Sequence, residues 1–157
     1  MAIGWRKPEI PANTDYDNKE EDWAARHFYF TPVTTVFGKI LGLEGAFAQL
    51  IGSASKDGLT FVPNTRMMLE TGAFSSKVFV EVETPQNYNA NVLRTDAGKV
   101  FSYEVIGDAN TIKKSIERHR AKIDSEGYVV QGVYQWFLSD PPWALKSTSR
   151  TVIFVRT

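Results

Sequence analysis

The 157-residue chain contains no cysteine. That excludes thiol nucleophiles, disulfide scaffolds, cysteine-ligated zinc and iron–sulfur clusters. Histidine is nearly as scarce: His27 and His119 are the only two and stand far apart. No metal site is expected, and no cofactor. Net charge is missing as well. Lys+Arg and Asp+Glu each number 18, so no long-range field draws the chain to nucleic acid or to an anionic membrane. No apolar run approaches the ~20 residues that a membrane-spanning helix needs, and no apolar signal core follows the first residues. A Gly-x-Ser-x-Gly nucleophile elbow is absent, and Gly38, Gly42 and Gly45 lack the spacing of a phosphate-binding loop. The expectation is a soluble, cytoplasmic protein with neither direct nucleic-acid binding nor membrane association.

Aromatic residues, by contrast, are plentiful at 13%. Large rings on few torsions suit a deep core or a pocket for flat ligands, and composition alone does not choose between them. Residues 1–26, with Pro8, Pro11 and a charged run from Asp17 to Asp22, read as an irregular arm with one short helix near Glu20–Ala25. From Phe28 the pattern is strand-like through Phe37–Leu41. Phe47, Leu50, Ile51 and Ala54 then mark one face of a helix ended by Gly58. Strands are predicted at Thr65–Leu69 and Lys77–Thr84, a linker at 85–91 and a short strand at Val92–Arg94. Lys99–Ile106 reads as a strand, Asp108 as an N-cap, and Ile112, Ile116, His119 and Ile123 as a second helical face closed by Gly127. Strands at Tyr134–Leu138 and Thr151–Arg156 complete the series.

Two passes overlie one another in this order. Gly42 matches Gly107, Gly58 matches Gly127, and Thr65–Leu69 matches Tyr134–Leu138, with the second helix longer by about one turn. The expected fold is α+β. Two βαββ repeats, residues 27–84 and 92–157, are related by a pseudo-two-fold axis and form an antiparallel sheet with two main helices and a central cleft. Chance recurrence of the strand–helix–strand–strand order is the competing explanation. Pockets favour such junctions.

Three segments of the second half carry a family resemblance. Ala97-Gly98-Lys99-Val100-Phe101 forms a turn into a strand, and Glu126-Gly127-Tyr128 a glycine–aromatic helix exit. Tyr134-Gln135-Trp136-Phe137-Leu138-Ser139-Asp140-Pro141-Pro142 is followed by a final strand from Arg150-Thr151. In joint order these resemble the GyrI-like small-molecule-binding family, the effector-binding domain of multidrug-responsive transcription activators and of gyrase-inhibitory proteins. Element order agrees over residues 27–157, and motif-level likeness over the last third of the chain. In the family's Glu-x-Tyr strand the glutamate offsets the charge of cationic aromatic drugs. Here that position is Gln135, and the tyrosine position is Phe137. An amide supplies a dipole and hydrogen bonds but no charge, which favours a neutral ligand or one whose charge meets another carboxylate. The 26-residue arm is too short and irregular for a helix-turn-helix, so the expectation is a standalone member; a homodimer is compatible with the sequence.

Along the Val133–Leu138 strand, Val133, Gln135 and Phe137 share one face. If Gln135 faces the crease, Phe137 does too, and the internal repeat brings Arg66 and Met68 from the facing strand. Gln135 read blandly is a surface or sheet residue, and Met68 core filler. Glu81, on the face of Phe79, is either a solvated acid or a replacement for the charge missing at position 135. Tyr103 and Glu104 lie on opposite faces, and Tyr103 is the better ligand platform. Trp143 reads as a lid or as the anchor of its own loop. Lys113, Lys114, Arg118, Arg120 and Lys122 read as a solvated helix face, His119 as a core-edge residue, and His27 as having no partner by spacing.

Two activities from different classes follow. One is non-catalytic binding of a small hydrophobic or aromatic ligand, with Phe137, Met68, Phe79 and Tyr103 packing on it, Arg66 and Glu81 beside it and Gln135 orienting it. The other is implied by standalone relatives that hydrolyse reactive cyclopropane-bearing compounds: a hydrolase with Glu81 as acid or base and Tyr103 as proton donor. Inhibition of gyrase through a protein contact is a third, for which the sequence offers no acidic DNA-mimicking run.

Overall fold

The structure, a computed structural model, describes residues 4–11, 14–36, 39–72 and 75–157. Eight strands form one antiparallel, curled sheet: β1 (Lys19–Asp22), β2 (His27–Val33), β5 (Met67–Thr71), β6 (Ser76–Val82), β7 (Val92–Arg94), β8 (Lys99–Ile106), β9 (Gly132–Phe137) and β10 (Arg150–Arg156). The short β3 (Thr35–Val36) and β4 (Lys39–Ile40) pair only with each other. The spatial order is β1-β8-β10-β9-β5-β6-β2-β7. β9 and β5 therefore meet at the centre, flanked by β10–β8 on one side and β6–β2 on the other. Helices α1 (Leu43–Lys56) and α2 (Ala109–Ser125) complete the α+β architecture. Among the described residues, no helix is long and apolar enough to cross a membrane.

The two leading strands change sides. β1, ahead of β2, pairs with β8, while β7, ahead of β8, pairs with β2. Asp22 faces Lys99 and Arg94 faces His27 at matching ends of the two pairs. The connecting turns meet where the Ala25 N–H donates to the Thr95 carbonyl (2.8 Å) and the Thr95 N–H to the Arg26 carbonyl (2.9 Å). Residues 19–22 are thus a strand, which corrects the short helix expected near Glu20–Ala25. A charged run at the edge of β8 satisfies that strand's open backbone, and the following Trp23 is buried at 1% exposure.

Local chemistry sets the helix ends. The Asp108 carboxylate accepts the Thr111 N–H at 3.0 Å, capping α2. Before it, Gly107 takes φ 153°, and a Cβ there would stand 2.7 Å from the Thr111 side chain, so only glycine fits the turn. The buried face of α1 is Ala46, Phe47, Leu50 and Ala54, and that of α2 is Ile112, Ser115 and Ile123. Instead of one strand running on to Leu41, the chain breaks after Val33 into the β3–β4 hairpin; Phe37 and Gly38 lie outside the described residues.

Register assigns every central side chain to a face, because antiparallel partners point the same way. One row across the sheet reads Tyr103–Ile153–Gln135–Leu69–Val78–Thr31. The next reads Glu104–Val152–Trp136–Met68–Phe79–Phe30 and faces the opposite side. Both helices cover the first face, whose core joins Phe47, Leu50, Ile112 and Ile123 to Leu69, Phe137 and Ile153. The second face carries no helix. The arm seals it: Trp23, Tyr16 and Ile10 pack on Phe28, Met68, Phe79, Tyr134, Trp136 and Phe154.

Candidate functional site

On the helix-bearing face, α1 lies over β2 and β6 and α2 over β8 and β10. The central strands form the floor between them, with Met67 and Leu69 from β5 and Val133, Gln135 and Phe137 from β9, all buried. Gln135 is 8% exposed and sits between Leu69 and Ile153 in its row. Aromatic rings gather at the end toward which β9 runs. Trp143 follows the Asp140-Pro141-Pro142 turn and lies 6.5 Å from Phe47 of α1 and 6.4 Å, edge-on, from Trp5. Gly4 rests against Ala48 of the same helix. Trp143, 42% exposed, therefore anchors its own loop against α1. A surface hollow of ≈ 670 Å³ lies elsewhere, between residues 7–11 and Leu138, Ser139 and Arg150.

The structure brings together some of the residues singled out in the sequence and separates others. Gln135 and Phe137 share the crease floor. Tyr103 faces the same side, but two strands away from Gln135, roughly 10 Å at ~4.8 Å per strand spacing. There it stacks on His119 of α2, with ring centroids 3.6 Å apart and planes 11° off parallel. Burial pushes the Tyr103 hydroxyl up and the His119 imidazole down from their ordinary values.

Arg66, Met68, Phe79 and Glu81 belong to the opposite face, which corrects the expectation that Arg66 and Met68 join Gln135. Met68 is fully buried between Trp136 and Phe79 in its row. Phe79 packs edge-on against Tyr134 at 5.2 Å. Arg66 makes a two-pronged contact with Glu21 of β1 at 2.7 and 3.1 Å, its guanidinium over the rings of Trp136 and Phe154 at 4.8 and 4.7 Å. Glu81 lies 3.7 Å from Arg26. Burial raises its carboxyl above the ordinary range, and the nearby Arg26 and Arg66 charges only partly offset this.

Two consequences are electrostatic. Glu81 does not stand in for a charge at position 135, because the sheet lies between them. Glu70, Glu81 and Glu104, the carboxylates of β5, β6 and β8, alternate onto the face away from the helices, so the crease floor carries an amide and no acid. Glu81 and Tyr103 likewise do not meet across the sheet. Among the described residues no group of three His, Asp or Glu side chains is placed to hold a metal ion. His27 does have a partner, the Tyr88 hydroxyl at 2.7 Å, supplied by the 85–91 linker folding back over β2.

Periodicity marks neither Trp5, packed against the core shared by both helices, nor Tyr16 and Trp23, which seal the far face. Three aromatic residues in a largely polar arm are the available signal, since such side chains are rarely left in solvent.

No family model matches the chain, and no curated protein does. Solved structures share its fold. The EcmrR C-terminal domain superposes with a TM-score of 0.60 at 11% identity, covering 90% of this chain and 96% of that one. A hydrolase from Listeria innocua gives 0.56 at 12%, covering 92% and 93%. SAV2435 bound to tetraphenylphosphonium gives 0.51 at 8%, covering 89% and 93%. At such identities the likeness establishes the overall fold as what this chain has in common with them.

Proposed function

We propose that the protein binds a small, neutral, aromatic molecule in the crease between α1 and α2, with Phe137 and Leu69 beneath it and the Gln135 carboxamide orienting it. The observation that carries this reading is the floor itself: an amide buried to 8% exposure among apolar side chains, with the carboxylates of β5, β6 and β8 on the other face of the sheet. A lipophilic cation placed there would lose its hydration without gaining a counter-charge, whereas a neutral ring system loses little and gains apolar contact. That a protein of the same fold is described with tetraphenylphosphonium fits a ligand site in this architecture; the amide at 135 turns the preference here toward uncharged compounds.

A thermal-shift screen of neutral and cationic aromatic compounds tests the proposal. Neutral compounds are expected to raise the midpoint of the wild type, with the response lost in Gln135→Ala and Phe137→Leu. Hits that stabilise those variants as well as the wild type would place binding elsewhere.

Hydrolysis is the second reading, favoured by the raised carboxyl of Glu81. That group lies on the face sealed by the arm, without Tyr103, so it would have to act alone there. Addition of water to a cyclopropane-bearing substrate, followed by mass spectrometry and abolished in Glu81→Gln, would establish it.

A further inference from the structure

Buried polar atoms are distributed unevenly between the two faces. On the arm-covered face they are paired: the Trp23 indole N–H donates to Glu21, Arg66 grips the same carboxylate, the Ser102 hydroxyl donates to the Tyr16 carbonyl, and Arg156 donates to the Tyr134 hydroxyl. The buried side-chain atoms without a partner among the described residues are Trp5 Nε1, Ser115 Oγ and Thr151 Oγ1. All three belong to the helix-bearing face. Ser115 is on the inner side of α2, Thr151 lies next to Phe137 in register, and Trp5 packs against the core shared by both helices.

Trp5 is the one of the three that is not built into a helix or a strand. Among the described residues, the first side-chain hydrogen bonds tying the arm down come at Glu9, whose N–H donates to Asn64 and whose carbonyl accepts from it. Ahead of that clamp the indole packs edge-on against Trp143 and on the core shared by both helices, and its N–H is buried without a partner among the described residues, which cancels part of what the packing gains. An indole is itself a flat, neutral, bicyclic aromatic.

We propose that Trp5 is an internal competitor for the crease: it occupies the place of a neutral bicyclic aromatic ligand, and that ligand binds by displacing it. This rests on the reading of the crease as a ligand site and adds the size of the ligand and the residue it replaces. A ligand that fills the same volume without leaving a donor unsatisfied outcompetes a side chain that does, and the released indole regains water. The apparent affinity of the whole chain is then the intrinsic affinity reduced by the fraction of molecules in which Trp5 is out.

The test uses the full chain and the neutral bicyclic dye prodan, a substituted naphthalene, with 5-fluorotryptophan incorporated for fluorine NMR and the Trp5 resonance assigned by Trp5→Phe. On saturation with dye the wild-type Trp5 signal is expected to move to the position of a solvated indole. Trp5→Leu, which keeps an apolar group, is expected to bind prodan about tenfold or more tightly than the wild type. A Trp5 signal unmoved at saturation overturns the proposal, as does equal affinity in wild type and Trp5→Leu. Where that equal binding is still lost in Phe137→Leu, the crease remains a ligand site and only the competitor role fails. Absence of binding by either form overturns both.

Discussion

Glu21 of β1 and Arg66, at the entry to β5, are joined by two parallel hydrogen bonds across the helix-free face, although β1 pairs in the sheet with β8 alone. The pair bolts the arm to the centre of the molecule over the rings of Trp136 and Phe154. Burial alone would push the Glu21 carboxyl up, but Arg66 through hydrogen bonds and charge, with Trp23 and Arg26, holds it below its ordinary 4.5. With the folded value depressed, the stabilisation is present above the unfolded value near 4.5 and lost as pH falls through the folded one.

Arg66→Ala is therefore expected to lower stability by roughly 2–3 kcal/mol at neutral pH, because it strands a half-buried carboxylate as well as uncovering two rings. Urea melts of the variant and the wild type at pH 7 and pH 3 check this. The gap should shrink at pH 3 as Glu21 is protonated; a gap independent of pH would mean that ring packing, not charge, is what Arg66 contributes.

Glu81 has the opposite sign. Its folded value is raised by burial, so the folded state binds that proton more tightly than the unfolded chain. Ionisation costs stability once the pH exceeds the unfolded value, and the cost is absent below it. Glu81→Gln, which keeps the shape without the charge, is expected to raise the thermal midpoint at pH 7 and to leave it unchanged at pH 3. A lowered midpoint at pH 7 would show that the Arg26 contact outweighs desolvation.

The helix-bearing face makes its own prediction through Thr151, fully buried between Phe137 and Val105 with its hydroxyl unpaired. Valine has nearly the same shape and no polar atom. Thr151→Val is expected to stabilise the protein by about 1 kcal/mol, a rise of roughly 2–4 °C in melting temperature for a chain of this size. A fall of similar size would mean that the hydroxyl is hydrogen-bonded in solution.

Local signals in the sequence marked most of the fold. β7 and β8 coincide with the strands read from alternation, and Asp108 caps the helix that its side chain announces. The site was less legible, because a strand's periodicity tells which residues share a face without telling which face of a neighbouring strand they meet. Gln135 and Phe137 were grouped correctly. Aligning the halves groups Arg66 and Met68 with them, yet the β5–β9 register sets Leu69, not Met68, opposite Gln135, and a shift of one residue moves a whole strand's side chains to the other side. The arm escaped for a related reason. β1 is four polar and charged residues whose partner, β8, lies far along the chain, so nothing local distinguishes it from a loop.

Charge selectivity gives the most direct check on Gln135. Gln135→Glu keeps the volume of the side chain and adds a carboxylate to a floor that has none. Buried there without a cationic partner, it would be raised in pKa, so the variant should lose stability as the pH rises above the ordinary carboxylate range. The cation it now suits should restore that loss. Rhodamine 6G, a lipophilic aromatic cation, is expected to bind the variant and not the wild type, more tightly at pH 8 than at pH 5 because only the ionised carboxylate attracts it. The neutral dye prodan should show the reverse preference, binding the wild type better. Fluorescence polarisation of both dyes at the two pH values resolves the four cases. Indifference of rhodamine 6G to the substitution at pH 8 would mean that the side chain at 135 does not face the ligand.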